Sequence, residues 1–214
     1  MNVQFLGHST VKVQGDYCSV LVDPFFRGNP MACNTADDYI SLDGLLLTRL
    51  LDERLQDTLE IATKTECPVL CDAPTAQKLQ AAGLSSSQII VMTPGESKNF
   101  DFGRVEMVEA DPGVSYIVEV EKHRVWVSGE SRYCESWSGL KEKAIDLAFV
   151  AIGGGEMMSA EEGAKAVEAV RPREAVPMAY GTFSHLIPDA TVFAKAAGPH
   201  TNVVILQSSE KENL

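Results

Sequence analysis

The feature that most constrains this chain is an order that occurs twice: short strands joined by tight turns, then apolar runs that each lead into a helical segment. Residues 2–6, 10–14 and 17–23 read as strands, with a Gly15-Asp16 turn between the second and third. Gly44-Leu45-Leu46-Leu47-Thr48 is a continuous apolar run suited to a buried strand, and Leu55, Leu59 and Ala62 follow it at helical spacing. The pattern repeats at 68–72 with a helix over 74–82, and 89–92 adds another strand. From 96 to 128 β character returns, with turns at Phe102-Gly103 and Asp111-Pro112-Gly113 and a hairpin through Glu121-Lys122. A buried strand over 145–151 comes next, and Ser159 with Glu162 three residues on forms a capping box for a helix ending near Arg171-Pro172. A strand over 175–178, a helix over 189–197 and a strand over 202–206 complete one domain, 1–207, and residues 208–214 read as a disordered tail.

Two mixed halves of this kind fit two sheets packed face to face with helices outside. At 45% hydrophobic residues, 214 residues are enough for one sizeable core. A net charge of -12 excludes a nucleic-acid surface, because phosphate contacts need a basic stripe and the 18 Lys and Arg are scattered among 30 Asp and Glu. No stretch approaches the roughly 20 apolar residues that span a bilayer, and the first residues lack a leader pattern, so no membrane span and a cytoplasmic location are expected. The five cysteines are odd in number and irregularly spaced, which fits reduced thiols. Cys67 and Cys71 have no second Cys or His pair nearby to complete a tetrahedral site.

Four motifs occur in order: Phe5-Leu6-Gly7-His8-Ser9, Leu21-Val22-Asp23-Pro24-Phe25, Ala151-Ile152-Gly153-Gly154 and Val176-Pro177-Met178-Ala179-Tyr180-Gly181-Thr182-Phe183. They resemble the metallo-β-lactamase superfamily, in particular its small bacterial metal-dependent hydrolases related to the ascorbate-6-phosphate lactonase branch, over about residues 2–206. The resemblance implies an α/β four-layer αβ/βα sandwich, with its site in a cleft along one edge of the two sheets. In that family a His-x-His-x-Asp-His run follows a buried strand ending in Thr. The corresponding positions after Thr48 hold Arg49, Leu51, Glu53 and Arg54. The next ligand position aligns with Asp111, the bridging Asp with Glu130, and the last His with Ala179.

An arginine cannot ligate a cation, because its guanidinium stays protonated and offers no lone pair. The expectation is accordingly a site without metal or other cofactor, in which Arg49 and Arg54 form a salt-bridge cluster with Glu53, Asp111 and Glu130. The bland reading is that Glu53 and Arg54 are surface groups of a helix start and Asp111 plain turn chemistry. A carboxylate-only site for a hard cation is set against the adjacent arginines. His8 is expected beside the site, Asp23 as a buttress for an arginine or a simple strand terminator, and His185 as a loop histidine or a cleft residue. No Gly-x-Ser-x-Gly elbow or phosphate loop appears. Two functions follow. The main expectation is a non-catalytic pseudoenzyme that binds a small anionic ligand or a protein partner, a second copy of itself included. The alternative is an atypical hydrolase of a phosphorylated or lactone-like small molecule, using an unusual metal or none.

Overall fold

The computed structural model describes residues 1–214. The first half contains β1 (Asn2–Phe5), β2 (Val11–Gln14), β3 (Ser19–Val22), β4 (Gly44–Leu46), α1 (Asp52–Thr65), β5 (Val69–Cys71), α2 (Ala73–Ala81) and β6 (Ile89–Val91). The second contains β7 (Ser97–Phe100), β8 (Gly103–Glu109), β9 (Val114–Val120), β10 (His123–Val127), β11 (Leu147–Ala151), α3 (Ala160–Val170), β12 (Glu174–Met178), α4 (Thr191–Ala197), β13 (Asn202–Val203) and β14 (Lys211–Asn213).

Two seven-stranded sheets form, in the orders β14-β1-β2-β3-β4-β5-β6 and β13-β12-β11-β10-β9-β8-β7. In the first sheet β1, β2 and β3 pair antiparallel, and β3 to β6 pair parallel. The second repeats the arrangement, antiparallel from β7 to β10 and parallel from β10 to β13. Side-chain alternation explains the layering. Along β11, Leu147, Phe149 and Ala151 face the core between the sheets, while Ala148 and Val150 face α3 and α4. On the first sheet Leu46 and Leu70 point inward, while Leu45, Val69 and Cys71 pack under α1 and α2. The result is helix, sheet, sheet, helix, as the sequence led us to expect.

Local signals hold where their chemistry is strong. Ser159 accepts from the Glu162 amide and the Glu162 carboxylate accepts from the Ser159 amide, the capping box read from sequence. Glu121 and Lys122 both have positive φ in a two-residue hairpin turn between Val120 and His123.

The expected disordered tail requires correction. Lys211–Asn213 pairs antiparallel with β1, the Phe5 amide donates to the Glu210 carbonyl, and Leu214 packs against the inter-sheet core. The edge of β1 supplies unpaired backbone groups, so hydrogen bonding orders a polar segment that shows no hydrophobic period of its own.

Candidate active site

The parallel strands of both sheets end at the same edge, and the loops that leave them meet there. Asp23 follows β3, Thr48 follows β4, Gly129-Glu130 follow β10, and Ala179 follows β12. The approach is close: a side chain at Gly129, whose φ is +69°, would sit 2.9 Å from Thr48 Cβ. Three non-glycine residues at this edge, His8, Asp23 and Ala179, have left-handed backbones with φ of 54°, 48° and 58°. Such strain gathers where surrounding structure over-determines it, which is common at functional sites.

At the centre lies Arg54, in the first turn of α1 and wholly buried. Its Nη2 donates to Glu130 Oε1 and, at 2.8 Å, to Ser9 Oγ. Its Nη1 lies 3.7 Å from Asp23 Oδ2. Ser9 in turn donates to Glu130 Oε1 at 2.7 Å. His8 Nε2 lies 3.2 Å from the same oxygen, while His8 Nδ1 meets Thr182 Oγ1 at 3.0 Å. Glu130 Oε1 thus accepts two hydrogen bonds, with the His8 ring close beside it. Its Oε2 makes no bond to the protein, yet it is not among the buried unpaired atoms, so it faces the open side of the edge.

Burial, reinforced by the Arg54 guanidinium, pushes the His8 imidazole down to about 4, so at neutral pH it is a neutral neighbour of Glu130 and not its ion-pair partner. Burial pushes the Asp23 carboxyl up, against the pull of Arg54 and of hydrogen bonds from Thr48. Those bonds run from the Thr48 amide at 2.8 Å and from the Thr48 hydroxyl. Aromatic rings cap the cluster: His8 packs edge-on against Phe25 and Phe183, with centroids 5.6 and 5.7 Å away.

The other expected site residues separate from this centre. Arg49 is part-exposed and reaches Glu156 at 3.1 Å, not the cluster. Asp111 is exposed and pairs loosely with Arg132 at 3.5 Å. Glu53 is exposed on α1, and half-buried Leu51 precedes the helix with its carbonyl accepting from the Arg54 amide. Ala179 is buried and donates its amide to the His8 carbonyl at 2.7 Å. His185 is exposed and stacks on Phe183. The five-membered cluster is therefore corrected to Arg54 with Glu130 and Asp23, because side chains early in a helix diverge by about 100° per residue and only Arg54 points inward. Ser9 and Asp57 went unremarked in the sequence. Asp57, one turn along α1 and also buried, accepts from the amides of Phe26 and Arg27 and ties down the loop after β3. Its only sequence signal is an acid on the apolar side of an amphipathic helix.

The β-lactamase superfamily domain matches residues 2–179, so the chain belongs to that superfamily. Within it the chain falls among the UPF0173 metal-dependent hydrolases. That of Symbiobacterium thermophilum is 31% identical across 91% of this chain and 90% of its own length, and that of Pyrococcus furiosus is 31% identical across the whole of both chains. The fold is shared with Igni18, a metallo hydrolase from the archaeon Ignicoccus hospitalis, at a TM-score of 0.87 and 22% identity over 100% of this chain and 98% of that one. An isothiocyanate hydrolase from Delia radicum gut bacteria superposes at 0.77 with 14% identity over 100% and 99%. These relatives overturn the main expectation of a non-catalytic pseudoenzyme: full-length kinship is with proteins named as hydrolases, which favours the hydrolase alternative.

The metals those names imply do not fit the side chains present. No group of three or more His, Cys, Asp or Glu is gathered as a metal ion requires. Both Asp23 oxygens are taken by Thr48, Glu130 Oε1 is taken by Ser9 and Arg54, and a fixed guanidinium charge stands between the two acids.

Proposed function

We propose that this chain is a hydrolase of a phosphorylated or lactone-like small molecule, acting at the sheet edge around Glu130 with an unusual metal or none. The observation that carries this reading is the division of labour on Glu130: Oε1 is pinned by Ser9 and Arg54, while Oε2 is left without a protein partner on the open side. A carboxylate so fixed is suited to draw a proton from a water that attacks a phosphorus or a lactone carbonyl carbon. The attacking oxygen forms the new bond, the ester or lactone bond breaks, and the proton passes through Glu130 to the leaving oxygen. Arg54, held in a water-poor setting, supports the negative charge that develops, through a field in place before reaction. His8, a neutral ring 3.2 Å from Oε1, lies beside Glu130 without neutralising it.

An anionic substrate suits Arg49 and Arg132, which follow Thr48 and Glu130 in the loops of this edge and whose carboxylate partners are exposed and easily exchanged. The free thiols and absence of any helix long and apolar enough to cross a membrane support a cytoplasmic setting. The test is turnover of an aryl phosphate and of a simple lactone by purified protein. One of the two is expected to be hydrolysed, with a loss of about 100-fold or more in Glu130→Gln. Hydrolysis of neither, or undiminished turnover in the variant, contradicts the reading.

A further inference from the structure

We propose that Arg54 is a tethered internal cation that locks the two sheets together at this edge, so that the fold closes without a bound divalent metal, and that removing its side chain opens a site for a small free cation. This goes beyond the hydrolase reading, and none of its tests needs a substrate.

The two acids come from different sheets, Asp23 from the end of β3 and Glu130 from the end of β10, and Arg54 reaches both from α1. These are the only Arg or Lys ion pairs in the chain in which both side chains are less than one-tenth exposed. Neither acid has a second cationic side chain of that kind. Two buried carboxylates without a counter-charge carry a desolvation cost that is relieved by a cation or by protonation, and Arg54 supplies the cation here.

The way the guanidinium is bonded shows which of its properties is in use. Only Nη2 is hydrogen-bonded; Nε and Nη1 are buried without a hydrogen-bond partner, Nη1 meeting Asp23 Oδ2 only as a charge at 3.7 Å. An arginine chosen for its fork of five donors would have them paired, since buried donors are ordinarily satisfied. Here the charge is matched and the donor geometry is not. A small free cation of the same charge meets the same need.

The test combines variants of Arg54 with melting temperature and elemental analysis. Wild-type protein is expected to carry well under one metal per chain, and its melting temperature to move by less than about 1 °C with EDTA, Mn²⁺ or Zn²⁺. Arg54→Met should melt roughly 10 °C lower. The melting temperature of Arg54→Ala should be raised by low-millimolar guanidinium, which refills the vacated space with the same charge, with a shift that grows with the logarithm of concentration as mass action requires. Should either variant fail to fold, the double variant Arg54→Met with Glu130→Gln decides: removing the acid along with its counter-ion should restore a folded protein more stable than Arg54→Met alone. About one metal per wild-type chain, a chelator-induced fall in melting temperature, or a double variant no better than the single one overturns the proposal.

Discussion

Arg49 and Arg54 leave the same strand end five residues apart and both find carboxylates, yet they occupy opposite physical regimes. Arg49 meets Glu156, whose side chain is 71% exposed, whereas Arg54 meets Glu130 and Asp23 at 7% and 0%. Water screens the first pair and is largely excluded from the second. The lesson is that replacing a residue at a site position says little until burial is known: one arginine became surface chemistry and the other became the hub of the edge.

That contrast can be broken most severely at Arg54. Arg54→Met should cost about 3–5 kcal/mol in chemical denaturation, because two buried acids lose their counter-charge. A loss below about 1 kcal/mol would place Arg54 in the same regime as Arg49.

Acid titration sharpens the comparison next. His8 holds its proton less firmly in the folded chain, at about 4 against 6.5, so it contributes stability that is complete above pH 6.5 and is lost as pH falls toward 4. The depression corresponds to about 3 kcal/mol over that window. Asp23, pushed up by burial, acts with the opposite sign, gaining stability as acid protonates it, so the useful quantity is the difference between wild type and His8→Gln. Arg54, Glu130, Glu53 and Asp23 surround or act on the ring in both proteins. The wild type should lose more stability than the variant between pH 6.5 and 4, and parallel curves would refute the placement of a neutral His8.

Thr48→Val removes the hydroxyl that Asp23 accepts while keeping the shape, and should cost about 1–3 kcal/mol by leaving a buried carboxylate short of a donor. At the exposed end, Arg49→Ala or Glu156→Ala should change stability by less than about 0.5 kcal/mol.

Much of the architecture was legible because its signals are local and repeated. The apolar run 44–48, the helix spacing of Leu55 and Leu59 and the Ser159 capping box all specify elements from their own residues. The tail was not legible, since Lys211–Asn213 is ordered by the β1 edge and not by anything in its own composition. The site was legible as a set of positions and not as an arrangement. The family resemblance pointed to Arg49, Arg54, Glu130 and Asp23, but which arginine turns inward depends on the phase of α1 after Leu51, a tertiary matter. Ser9 gave no signal beyond its place after Gly7-His8, and its role exists only because Glu130 arrives from the other sheet. Function was misread for a related reason: altered ligand positions were taken as loss of catalysis, while the relatives along the whole chain are named as hydrolases.

The most direct measurement is a pair of double-mutant cycles, Arg54 with Glu130 and Arg49 with Glu156, scored by denaturation under one set of conditions. A coupling of at least about 2 kcal/mol in the first and under about 0.5 in the second is the expected result. Equal couplings, or a first cycle near zero, would contradict the claim that a single buried arginine holds this edge together.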